Sequence, residues 1–241
     1  MLWQPYHNKL KDIARGNLVR LFYLNEKSGT SAQDHSPNKD SGTYSGVTLS
    51  ANKQPNGMNA PSFDGVNDSI DVNVSDQLNT DWIFPCDKGT ILVWWKVAGA
   101  GTWTDGTDRR IFQFRWDANQ TVYLGKRSNN NSLVFRVETN NILYNAIYTY
   151  PGAGSTDWNC SVLRWENDLG ATAYNEHILN NTSVAKITSS RATLNDVGTL
   201  QCQIGSNFID ANNYWSGNIG VFAFWQGVAL SDEVIGRISK I

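Results

Sequence analysis

Residues 90–97 read Thr-Ile-Leu-Val-Trp-Trp-Lys-Val, and residues 110–116 read Arg-Ile-Phe-Gln-Phe-Arg-Trp. The first run is apolar at odd and even positions alike and rich in β-branched and aromatic side chains, which predicts a strand buried on both faces. The second alternates. Phe112, Phe114 and Trp116 share one face, and Ile111, Gln113 and Arg115 the other, as a strand with one face on a core requires. The same reading extends outward. Asp117-Ala-Asn119 turns the chain into Thr121-Val-Tyr-Leu-Gly125, and Ser128–Asn131 turns it into Leu133-Val-Phe-Arg-Val-Glu138. Trp158–Trp165 alternates, Asn167–Gly170 reads as a turn, and Ala171–Leu179 returns. Leu200–Ile204 and Asn218–Trp225 are the last strands, and Asn17–Leu24 the first. Short strands punctuated by turns predict an all-β sandwich or barrel.

The chain has 241 residues, 40% hydrophobic and 17% charged, enough apolar material for a real core and too much for a disordered chain. Its 20 Lys and Arg stand against 22 Asp and Glu, so the basic excess that holds nucleic-acid phosphates is missing. No run of 18 apolar residues occurs to form a membrane-spanning helix. Met1–Leu10 lacks the apolar segment of a secretory signal, so the expected location is a particle surface or the exterior by a non-classical route. Cys86, Cys160 and Cys202 are odd in number and widely spaced. They read as buried thiols in preference to a Cys160–Cys202 bridge.

The two ends break the strand pattern. Trp3, Tyr6, Leu10 and Ile13 fall on one helical face, with Gly16 placed to end the helix. Residues 1–16 therefore read as a separate arm before a domain spanning 17–241. The arm either packs on its own domain or docks those four side chains onto a partner. At the other end, Ser231 caps a short helix with Asp232 and Glu233 in its first turn and Val234, Ile235 and Ile238 on one face.

The turns carry a further signal. Leu21-Phe-Tyr-Leu-Asn-Glu-Lys-Ser-Gly29, Asp34-His-Ser-Pro-Asn38, Gly42-Thr-Tyr44 and Phe63-Asp-Gly-Val-Asn-Asp68 occur in that order. They are followed by Thr90–Val97, Trp158–Trp165, Ile204-Gly-Ser206, Tyr214–Gly220 and Gln226–Asp232. In this succession the chain resembles the concanavalin A-like lectin/glucanase superfamily, in its laminin-G-like branch, over residues 17–241. The resemblance implies a jelly roll of two antiparallel sheets. It also implies a calcium site drawing on the Asp34–Asn38 loop, with Asp34 and Asn38 as ligands, and on an acid in the last strand. Gly220 and Val221 stand where relatives carry acids, so no cofactor is expected beyond a structural calcium that this loss undermines. The alternative role for Asp34, Ser36 and Asn38 is to cap turns.

Catalytic chemistry has little foothold. Glucan-cleaving relatives carry three acids on one strand, whereas Glu166-Asn-Asp168 is followed by Leu169-Gly-Ala171 and reads as a turn. Asp64, Asp68 and Asp71 cluster, but Asp64–Asp68 reads as a turn held by side-chain-to-backbone bonds. His7, His35 and His177 lie in no zinc-hydrolase spacing. The chain reads as non-catalytic. For sugar binding, aromatic faces in loops are the candidates, flanked by hydrogen-bonding side chains. These are Trp103, Tyr148, Tyr150 and Trp215, with Asp105 and Arg109 as a polar clamp and Arg110 beside it.

Two functions follow as expectations. The first is a structural or attachment protein with a lectin-like domain, a decoration, fibre or adhesin component of a phage virion, a setting where the resemblance finds such domains. The second is a carbohydrate-binding lectin module; a glycoside hydrolase ranks last. The expected partners are other virion proteins, glycans and further copies of the chain, with no nucleic acid and no membrane insertion.

Overall fold

A computed structural model describes residues 9–72, 87–117, 119–128, 131–139, 141–150, 154–167, 172–189, 201–207 and 213–239. Within them, strands pair antiparallel into two eight-stranded sheets. The first sheet runs β14 (Thr182–Thr188), β13 (Tyr174–Leu179), β12 (Asn159–Glu166), β7 (Lys88–Val97), β16 (Ser216–Gln226), β5 (Asn59–Asp64) and β4 (Thr48–Lys53), with β1 (Leu18–Phe22) also on β16. The second runs β11 (Ile142–Thr149), β10 (Ser132–Thr139), β9 (Gln120–Lys126), β8 (Arg109–Asp117), β15 (Gln201–Ile204), β6 (Ser69–Val72), β3 (Gly42–Ser45) and β2 (Ser31–Ala32). This is the two-sheet sandwich expected from the alternating strands.

The doubly apolar strands explain the layering. On β7, Ile91, Val93, Trp95 and Val97 face the core between the sheets, while Leu92 and Trp94 point to the opposite side. On β16, Phe222 and Phe224 face inward and Val221, Ala223 and Trp225 outward. Inward rings meet those of the second sheet: Phe112 lies 5.4 Å from Phe222, and Phe114 5.3 Å from Phe224. The outward set forms a second apolar layer, closed by Leu10, Leu230, Ile235 and Ile238.

Both chain ends build that closure. The C-terminal helix, Asp232–Ile238, is capped by the Ser231 side chain, which accepts from Val234 N, and buries Ile235 and Ile238 as its periodicity predicts. The arm is helical at residues 9–12 and ends sooner than Gly16 suggested. Ala14 takes a left-handed φ of 42°, and a 3-10 turn follows at Arg15–Asn17. Leu10 is fully buried, and Trp225 Nε1 donates to Ile13 O at 2.8 Å. Leu10 and Ile13 therefore pack on their own domain, the first of the two alternatives open for the arm, and are not the partner-docking side chains that the second would make them. An eleven-residue helix is marginal alone, and burying a leucine, at about 1.5–3 kcal/mol, favours this closure. Trp3 and Tyr6 lie outside the described residues.

The cysteines separate as well. Cys160 is buried in the outer layer and Cys202 between the sheets, both as free thiols, which removes the bridge. Cys86 lies outside the described residues.

Candidate functional site

The six loop residues singled out for sugar binding converge on one end of the sandwich, but their aromatic faces are spent there. Trp103 is fully buried in the short helix Gly101–Thr104. Its indole donates to Ser155 O at 2.9 Å and lies 4.7 Å from the Tyr150 ring. Gly154, at φ 73°, passes flat over it, and a Cβ there would come within 2.5 Å of the indole. Trp215 is also fully buried, edge-on to Trp95 at 5.6 Å. Tyr150 is buried, with its hydroxyl 3.3 Å from Asn159 Oδ1. Of the four aromatics only Tyr148 keeps part of its surface open. The expectation of exposed stacking platforms at Trp103, Tyr150 and Trp215 is thus corrected: these rings plug the open end of the core, where a two-layer sandwich most needs bulk.

The polar clamp is likewise internal. Asp105 pairs with Arg109 at 2.7 Å through Oδ2 and with the fully buried Lys126 at 2.7 Å through Oδ1. Arg109 also donates to Tyr214 O at 2.7 Å and to Gly65 O at 3.3 Å, and Lys126 to Thr107 O at 2.8 Å. Burial alone would raise the Asp105 carboxyl. The bonds from Lys126, Thr107 N and Arg109 outweigh it and hold the pKa below its ordinary value. Asp105 and Arg109 therefore tie three loops together, which leaves few donors for a sugar.

The Asp34–Asn38 loop is filled from within. Asp34 Oδ1 accepts from Leu21 N at 2.9 Å and Ser36 N at 2.8 Å. Its Oδ2 accepts from Ser36 Oγ at 2.7 Å and Asp40 N at 3.1 Å. Arg20, fully buried, stands 3.9 Å from the same carboxylate and 3.0 Å from Asp40. Asn38 Nδ2 donates to Val19 O at 3.4 Å. These bonds take the lone pairs a calcium would need, and the positive charge beside Asp34 is already a guanidinium. The turn-capping alternative is the one the geometry matches. Elsewhere, Glu166 is held by Lys88 at 2.6 Å, and Asp168 lies outside the described residues.

The outer face of the second sheet carries what the loops do not. The strand registers set one residue from each of the eight strands in a line: Asn145, Arg136, Tyr123, Gln113, Gln203, Asp71, Thr43 and Ser31. Every member is polar or has a polar tip. Inward positions one step along, such as Phe135, Leu124, Phe112 and Ile204, belong to the core. Neighbouring outward positions add Arg110, Arg115, Gln201 and Glu138. Tyr123 is clasped by two guanidinium groups, Arg110 at 4.0 Å and Arg136 at 5.1 Å from its ring centre. The Arg110 side chain lies over Gly125, where an added Cβ would meet its Cδ and NH1 at 3.1 Å.

Along the line, Arg136 Nε donates to Asn145 Oδ1 at 2.8 Å, Gln203 Nε2 to Asp71 Oδ1 at 2.6 Å, and Gln113 Nε2 to Thr121 Oγ1 at 3.0 Å. Gln113 Oε1 has no hydrogen-bond partner among the described residues. Arg110, Arg136, Arg115, Asn145 and Gln203 are all partly exposed. Amide, guanidinium and carboxylate groups in a row offer paired donors and acceptors to neighbouring hydroxyls. The sequence held this signal in the polar phase of its strands: Gln113 and Arg115 on one alternate face, Gln201 and Gln203 on another. The lateral alignment that makes them one surface depends on strand order.

Comparisons with known proteins bear on this fold. No family model matches the chain, and no curated protein matches it. Solved structures do. The binding domain of botulinum neurotoxin serotype D/C superposes with a TM-score of 0.68 at 14% identity, covering 93% of this chain and 52% of that one. Domain 4 of AbnA, a GH43 extracellular arabinanase from Geobacillus stearothermophilus in complex with arabinotriose, gives 0.68 at 13% identity, covering 93% of this chain and 98% of that one. The binding domain of botulinum neurotoxin DC in complex with SialylT gives 0.61 at 12% identity, covering 93% and 51%. The chain thus spans about half the length of the toxin binding domains and nearly all of the arabinanase domain. It shares with them a two-sheet β-sandwich fold.

Proposed function

We propose that this chain is a non-catalytic carbohydrate-binding module whose glycan lies across the polar row on the outer face of its second sheet. The observation that carries the reading is the contrast between the two outer faces. That of the first sheet is closed by an apolar layer of Leu10, Ile235, Ile238 and their neighbours. That of the second carries a line of polar side chains across its strands, with Arg110 and Arg136 on the Tyr123 ring, although Gln113 and Tyr123 at its middle are themselves buried and the exposed groups are Arg110, Arg115, Arg136, Asn145 and Gln203. Sugar hydroxyls are met by this chemistry, and an apolar partner surface is not. Structures of the same fold that hold arabinotriose and SialylT support a glycan as the ligand class. The neighbours named above are toxin and arabinanase domains, and nothing in them supports the virion role expected from the sequence.

The test is a glycan array with the full chain, repeated with Arg136→Ala and Asn145→Ala, both partly exposed in the row. Binding by the parent, with signal lost in both variants while their melting temperatures stay close to it, is the expected result. A glycan bound equally well by both variants would move the site elsewhere on the sandwich.

A further inference from the structure

A cleft of about 180 Å³ opens where the arm meets the 35–39 loop, far in character from the polar row. It is lined by Lys11, Asp12, Arg15, Leu18, His35, Ser36, Pro37 and Lys39. It runs into a wider groove that shares Arg15, Leu18 and Pro37 and adds Val19 and Asn38. Three cations, Lys11, Arg15 and Lys39, face one carboxylate, Asp12. None of the three forms an ion pair among the described residues. Asp34 and Asp40, the nearest acids behind the wall, are turned to Arg20. Residues 1–8 contain no carboxylate to complete the balance, and the whole chain is net negative at −2, so the excess is local.

The cations are close enough to act on one another and on His35. Burial, with Lys39 and Arg15 nearby, lowers the Lys11 pKa. Burial, with Lys11 and Lys39, lowers that of His35 to about 4, so its ring is neutral at pH 7. His35 also lies 4.9 Å from the Tyr23 ring. Lys39 in the cleft wall holds left-handed backbone at φ 64°, and Ala14, just before Arg15, at φ 42°, without being glycine. Like charges held together at a strained turn are stable when something negative sits between them.

We infer that the cleft between the arm and the 35–39 loop is an anion site, binding a phosphate or sulfate group through Lys11, Arg15 and Lys39 with His35 at its edge. The cleft has room for a tetrahedral oxyanion and more, and it shares Arg15, Leu18 and Pro37 with the neighbouring groove, so the group can belong to a larger molecule. The inference does not rest on the glycan reading, since no residue is shared with the polar row.

The experiment is a titration of the intact protein with sodium phosphate and, separately, sodium sulfate, following the His35 imidazole resonances by NMR. Sodium chloride at matched ionic strength is the control. A saturable shift with at least one oxyanion and only a weak drift with chloride is expected. Preference between the two anions tells a phosphorylated from a sulfated ligand. Lys39→Gly removes a cation and relieves the left-handed strain, so it should fold well and bind roughly tenfold more weakly, as should Lys11→Gln. A His35 signal unmoved by both oxyanions, moved equally by chloride, or saturating identically in both variants would overturn the assignment.

Discussion

His177 should control much of the protein's loss of stability in acid. It lies fully buried on β13, its Nε2 3.0 Å from Ser161 Oγ, which in turn accepts from Trp95 Nε1 at 2.9 Å. Its Nδ1 has no hydrogen-bond partner among the described residues. Burial lowers its pKa from 6.5 to about 3. The sign follows from linkage. The unfolded imidazole takes a proton as pH drops through 6.5, the folded one does not until about 3, and protonation therefore favours unfolding across that window. At 1.36 kcal/mol per pKa unit the loss is about 2 kcal/mol between pH 7 and pH 5, and about 3 kcal/mol by pH 4. Above pH 7 the contribution vanishes.

The assay is urea unfolding followed by tryptophan fluorescence at pH 7, 6, 5 and 4, for the parent and for His177→Gln. Glutamine keeps a neutral polar group beside Ser161 but does not titrate. It should cost about 1 kcal/mol at pH 7 and then fall less steeply, so that the two curves cross between pH 6 and pH 5 and the variant is the more stable protein by about 1 kcal/mol at pH 5. With a urea m-value of about 3 kcal/mol/M, the differential effect at pH 5 is a midpoint change of roughly 0.7 M. His35, whose pKa is also lowered, and the carboxylates contribute alike to both proteins and cancel in the comparison. Parallel midpoint curves from pH 7 to pH 5 would refute the reasoning, because the His177 proton would then not be linked to folding.

Other outcomes follow from the same geometry. Trp103→Ala should lower stability by about 3–5 kcal/mol, seen as a fall in melting temperature, because it empties a packed site beneath Gly154. Asp105→Asn should cost about 3–5 kcal/mol by leaving Lys126 buried without its carboxylate, and Lys126→Met in that background should recover part of the loss in the same melt. Leu10→Ala should cost about 2–5 kcal/mol in a denaturant titration while leaving the oligomeric state in sedimentation unchanged, since the side chain packs within its own chain. Chelator should leave the melting temperature where it was, because backbone amides and Ser36 already occupy the Asp34 carboxylate.

The sandwich was legible because its signals are local. Phe112 and Phe114 alternate with Gln113 and Arg115 on one short stretch, and the Asp64–Asp68 turn announces itself by residue type. In the structure, Asp64 Oδ1 accepts from Val66 N at 2.7 Å, and Asp68 Oδ2 from Asp64 N at 2.8 Å. The site was less legible. Trp103 sits in a segment of Gly, Thr and Asp, which reads as an exposed loop. Its burial depends on Gly154, fifty-one residues later, folding back over the indole. The polar row needs more still: seven strand pairings bring Asn145 and Ser31 into one line, and no window of sequence contains them both. The arm fell between the two. Its apolar spacing was visible, but whether Leu10 covers this chain or another is a question of which surface remains bare.

The way the arm closes also brings the two ends of the described chain together. Lys9 Nζ donates to Arg237 O at 3.3 Å, and Trp225 holds the carbonyl of Ile13 on the same face. Residues 9 and 237 are thus neighbours in space although 228 positions apart. A short peptide linking them, with the backbone opened instead at the solvent-facing turn Pro55–Gly57, would preserve every β-ladder described above. By the same proximity the sandwich can be spliced into a loop of a host protein without prying that loop apart.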